Sequence, residues 1–123
     1  MAGETILIVD DNAVNLKLAK VLLVKEGYEV KTAADAEEAL KSIETTKPRL
    51  ILMDIQLPGM DGLELTRRLK AAPETNDIRI VALTAYAMKG DEEKAKAAGC
   101  DGYITKPLDT QALPGLIVEF LKK

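Results

Sequence analysis

Short runs of β-branched and aliphatic residues alternate along the chain with longer segments whose apolar positions recur every three to four residues. The first run, Thr5–Val9 (TILIV), shows no polar alternation, the pattern of a strand buried on both faces. Similar runs lie at residues 50–53, 80–83 and, more weakly, Gly102–Thr105, and Glu29–Ala33 reads as a further strand. Residues 13–26 predict a helix with apolar side chains at positions 18, 19, 22 and 23, stopped by Gly27 as a left-handed cap would stop it. Asp35 with Glu38, and Asp61 with Glu64, each resemble an Asp form of the capping box that opens a helix. Asp91–Ala98 predicts an alanine-rich helix closed by Gly99, and residues 73–77 a surface loop between helix and strand. Asp109 can cap a last helix, but Pro114-Gly115 falls inside it and predicts a short first turn with a kink or restart. Lys122 and Lys123 suit that helix's negative end.

Strand and helix thus alternate five times with short connections, which predicts a doubly wound α/β fold: one parallel sheet with helices on both faces. The 123 residues suffice for one domain spanning 1–123 and one core. Only 3% of residues are aromatic, so that core is aliphatic. A net charge of −3 argues against nucleic-acid or anionic-membrane binding, leaving proteins or small ligands as partners. The single cysteine, Cys100, can form no intrachain disulfide and reads as a small core residue. With no basic leader and no apolar run near membrane-spanning length, a cytoplasmic, unprocessed chain is expected.

Open α/β sheets bind ligands beyond the carboxyl ends of their strands. Those ends carry Asp10-Asp11, Asp54, Thr84 and Lys106. Three carboxylates brought together repel one another unless a cation neutralises them, and a chain without histidine offers oxygen ligands that favour magnesium over zinc. Asp11 and Asp54 are expected as direct ligands with the Gln56 backbone carbonyl, and Asp10 as the holder of a bound water. A carboxylate can itself be the nucleophile of phosphoryl transfer, and Asp54 on the central strand is best placed for it. Lys106 and Thr84 would then serve the phosphoryl oxygens, beside the small Ala85.

The segments ILIVDDN, LILMDIQLPGMDGLEL, IVALTAYAMKGDEEK and GCDGYITKPLD resemble, in order and spacing, the response-regulator receiver domains of two-component signalling, over nearly the whole chain. The resemblance implies a flavodoxin-like sheet in the order 2-1-3-4-5, as in the chemotaxis regulator. It also implies that Asp54 is the phosphoacceptor, Asp10 and Asp11 the acidic pair, Thr84 the switch hydroxyl, Lys106 the phosphate-binding lysine and Tyr103 the switch aromatic. The Lys106-Pro107 peptide is commonly cis in such proteins. A histidine kinase or histidine phosphotransfer protein is the implied donor and a downstream protein the implied target, with the chain a monomer or weak dimer. DDNAVNL and TAYAMKGDEEK are most similar to single-domain cell-cycle regulators and to receivers built into hybrid histidine kinases.

Other readings are open at several positions. Tyr103 can simply pack, and Asn12 reads as a helix cap. Val14, Leu16, Val21 and Val24 fall outside the first helix's core stripe, as surplus packing or as a docking patch, for which Val14 is the first candidate. Met60 and Gly62 are expected to shape the turn after Asp54, and Met88 fits core or loop. A haloacid-dehalogenase-like phosphatase would also use a strand-end Asp with a Thr and a Lys, but needs a second acid two residues on, where this chain has Gln56.

Overall fold

The computed structural model describes residues 3–55, 62–84, 91–105 and 111–122. Five strands, β1 (Thr5–Val9), β2 (Glu29–Ala33), β3 (Leu50–Asp54), β4 (Arg79–Thr84) and β5 (Gly102–Thr105), alternate with five helices. These are α1 (Ala13–Lys25), α2 (Ala36–Thr45), α3 (Gly62–Ala71), α4 (Asp91–Ala98) and α5 (Leu113–Lys122). All strand pairs are parallel, in the order β2-β1-β3-β4-β5. The fold is the doubly wound, flavodoxin-like one. β3 lies at the centre and is buried along its length, as its unbroken LILMD run requires.

The alternation of side chains along the strands divides the core in two. Leu7, Val9, Ile51, Met53 and Ile80 point to one face and pack with Ala39, Ile43, Leu65 and Leu69 from α2 and α3. Ile6, Ile8, Leu50, Leu52, Val81 and Leu83 point to the other and meet Ala19, Leu23, Ile117 and Phe120 from α1 and α5. Cys100 is half-buried against the first cluster, and that burial raises its thiol pKa despite the Thr66 hydroxyl 4.0 Å away.

The α1 stripe differs from expectation. Leu18 is 38% exposed, whereas Leu16 joins Leu22 in packing beside buried Ala19 and Leu23. A helix apolar on several sides does not announce which stripe faces inward; contact with the sheet selects it. Gly27 has φ +96° and donates to the Val24 carbonyl at 3.0 Å, the left-handed stop expected of it. Asp35 Oδ1 accepts from the Glu38 N–H at 2.8 Å, while Glu38 Oε1 accepts from the Ala34 N–H at 2.9 Å, one residue before the cap. The chain enters α2 in extended conformation, which brings that earlier N–H within reach. α5 begins at Leu113, so Pro114 lies in its first turn, where its missing N–H is no loss and no kink is needed. Asp61, Met88 and Asp109 lie outside the described residues.

At the amino ends of the strands, Lys70 Nζ donates to the Ile78 carbonyl at 2.8 Å and to Asp101 Oδ2 at 2.9 Å. The same Asp101 oxygen accepts from the Ile80 N–H at 2.9 Å, so one half-buried ion pair ties α3 to the starts of β4 and β5. Lys70→Met should destabilise the fold by about 2 kcal/mol, less than the roughly 3–5 typical of breaking a fully buried pair. Urea denaturation measures it.

Candidate phosphoryl and metal site

β1 delivers the first two acids. The Asp10 N–H donates to the Ala33 carbonyl at 3.1 Å, so the chain stays beside β2 through Asp10 before turning into α1. Asn12 then caps α1: its side-chain oxygen accepts from the N–H groups of Val14 at 2.9 Å and Asn15 at 3.2 Å. Its own N–H donates to Asp10 Oδ1 at 2.9 Å. β3 delivers the third acid, since the strand ends on Asp54, the strand-end position expected of it, opposite Leu83. Hydrogen bonding from the Ile55 N–H to the Leu83 carbonyl, 3.1 Å, holds that end in the sheet.

The sheet brings Asp10, Asp11 and Asp54 together, with one carboxylate oxygen of each lying within 4.8 Å of the others. Asp10 is 1% and Asp54 3% exposed, while Asp11 is open to solvent. At 4.8 Å two full charges repel by about 3.5 kcal/mol at an effective dielectric constant near 20, a cost that water reduces for the pairs made by exposed Asp11. A divalent cation removes that cost, and an all-oxygen set open on one side suits a hard ion that keeps part of its water shell.

Gly62 defines the other wall. Its N–H donates to the Ile55 carbonyl at 3.3 Å, and a Cβ at this position would collide with the Asp54 carbonyl oxygen and stand 2.8 Å from Ile55 Cα. The turn-shaping role expected of Gly62 is therefore a close backbone approach. The Thr66 hydroxyl, fully buried, donates to the Gly62 carbonyl at 2.8 Å and fastens the first turn of α3 behind the site.

Thr84 closes β4, one residue beyond the partner of Asp54 and in register with Thr105. Gln56 and Lys106 lie outside the described residues. Tyr103, on β5 opposite Ala82, is partly exposed and lines a recess with Glu92, Lys96, Cys100 and Phe120. Val14 is 75% exposed, and Leu18, Val21 and Val24 extend the apolar surface along α1. The bond from the Asn12 N–H to Asp10 and the close approach at Gly62 do not follow from the sequence, where an asparagine directly after an acid pair and a glycine opening a helix are their only traces.

A fold of this topology with an acidic cluster at the ends of β1 and β3 defines a class. The response regulator receiver domain family matches residues 6–117, and the chain belongs to that family. Among its relatives, the polar-differentiation response regulator DivK of Brucella anthropi is 42% identical over 118 residues, covering 96% of each chain. Among solved structures, a CheY-like response regulator receiver domain protein from Methanospirillum hungatei is 37% identical, with a TM-score of 0.89 over 98% of this chain and 95% of that one. The receiver domain of a Pseudomonas aeruginosa sensor histidine kinase is 36% identical, with a TM-score of 0.89 over 99% of this chain and all of that one. That structure holds a magnesium ion in its active-site cleft. The chain is thus a DivK-like receiver of two-component signalling. Among the described residues, no helix is long and apolar enough to cross a membrane.

Proposed function

We propose that this chain accepts a phosphoryl group on Asp54 from a histidine kinase or histidine phosphotransfer protein and signals through phosphorylation-dependent contacts with a downstream protein. The observation that carries the reading is the convergence of Asp10, Asp11 and Asp54, with Asp54 buried at the tip of the central strand. The acid set of Asp10, Asp11 and Asp54 fits magnesium, which Asp11, Asp54 and the Gln56 carbonyl would hold, with Asp10 orienting a water. When bound, the ion neutralises the carboxylates and draws charge from the phosphoryl oxygens.

An Asp54 carboxylate oxygen attacks phosphorus as the P–N bond to the donor imidazole breaks; the electron pair leaves with the imidazole, which takes up a proton. Lys106 neutralises one phosphoryl oxygen and the Thr84 hydroxyl donates to another. The chain is a phosphoacceptor that assists its own phosphorylation and dephosphorylation, and it works in the cytoplasm with its donor. The exposed apolar side of α1 around Val14 suits donor docking. Output through α4, β5 and α5 follows if the phosphoryl group draws Thr84 inward and Tyr103 moves into the space released.

Incubation with acetyl phosphate and magnesium should label Asp54 by mass spectrometry of the digested protein, and EDTA should stop the labelling. Label on another residue refutes the assignment of Asp54. An unchanged rate under EDTA refutes the metal.

A further inference from the structure

We propose that Asn12 is a positioning residue for the metal site, holding Asp10 in place by saturating the first turn of α1. This rests on the magnesium reading above and deepens it.

Donors crowd this corner. The first N–H groups of any helix lack intrahelical partners and readily capture carboxylates. α1 begins three residues after Asp10, so the bare amides of Val14 and Asn15 would compete with a cation for the acid pair. The Asn12 side-chain oxygen occupies both, at 2.9 and 3.2 Å. With the turn fixed, the Asn12 N–H is aimed at Asp10 Oδ1, 2.9 Å away, and holds that carboxylate at the cluster. Aspartate would cap equally well, but it would set a fourth negative charge beside three carboxylates already within 4.8 Å. A neutral cap avoids that repulsion.

Asn12 therefore acts on the site through the cap, and cap strength should set magnesium affinity. The order of side chains as caps is Asn and Ser together, then Gly, then Ala. Titration of magnesium into the unphosphorylated full chain, followed by calorimetry or amide NMR shifts, should rank the dissociation constants the same way. Asn12→Ser should lie near wild type. Asn12→Ala should bind more weakly by up to about 5-fold, the limit reached when all of the roughly 1 kcal/mol that an N-cap is worth is expressed in the metal-bound state. Its acetyl-phosphate labelling rate should return to the wild-type value at saturating magnesium, which separates lost affinity from lost chemistry. If Asn12→Ala does not fold, the comparison of Asn12→Ser with Asn12→Gly carries the test. Equal affinities in wild type and Asn12→Ala overturn the inference, as does equal weakening in Asn12→Ser and Asn12→Ala. Failure of the wild-type chain to bind magnesium refutes instead the reading on which it rests.

Discussion

Asp54→Asn should lose phosphoryl incorporation down to background while gaining stability in the absence of magnesium. Asparagine keeps the shape of the side chain but has no anionic oxygen with which to attack phosphorus. The neighbouring acids, Asp10 and Asp11, should not replace it: Asp10 is fastened by the Asn12 N–H, and Asp11 stands at the solvent side of the cluster. The gain in stability has an electrostatic origin. Three carboxylates within 4.8 Å become two, which relieves part of a repulsion present only in the folded state. After solvent screening, about 1–2 kcal/mol should appear as a higher urea midpoint in metal-free buffer. Magnesium should close much of the difference, since it stabilises only a protein that binds it well. Labelling of the Asp54→Asn variant at the wild-type level would show that another residue is the acceptor. A lower metal-free midpoint would show that the carboxylates do not repel as their spacing implies.

Gly62→Ala should be the most damaging one-carbon change near the site. The added Cβ would collide with the Asp54 carbonyl oxygen and crowd Ile55 Cα, both backbone atoms that cannot swing aside. Either α3 moves outward or the end of β3 is pushed from the sheet. Overpacking of this kind costs about 2–3 kcal/mol. Because the displaced atoms carry Asp54, magnesium binding and the phosphorylation rate should fall together. Gly115→Ala is the control: that glycine is also helical, nothing lies within 4 Å of its added Cβ, and its φ is not positive. There the change should stabilise by about 0.5–1 kcal/mol through helix propensity alone. Equal urea midpoints for the two variants would mean that the close approach of α3 to Asp54 is not tight in solution.

Much of the fold is legible in the chain itself. The buried strands announce themselves because parallel strands covered on both faces need uninterrupted aliphatic runs, and TILIV and LILM can be little else. Gly27, Asn12 and Asp35 mark helix ends because their local conformations and short side chains satisfy backbone groups that no other part of the helix can reach. The acid pair and Asp54 were identifiable as strand-end residues, since strand and strand end are local properties. Their meeting was an inference from topology.

What required the tertiary structure is whatever depends on two distant segments touching. The inward stripe of α1 could not be read from a helix apolar on several sides, and the sheet chose Leu16 over Leu18. The Lys70–Asp101 tie joins residues 31 apart in sequence, and nothing local to either announces the other. Glu38 reaches Ala34 instead of the cap residue because of the angle at which the chain enters α2. Gly62 is needed not for its own backbone angles but because α3 presses against the end of β3, a distance that exists only once both are packed. Local chemistry along the chain determined which residues could form strands, caps and a strand-end site. Packing decided which atoms of those residues meet, because a contact between remote segments is a property of the assembled sheet and helices and not of either segment alone.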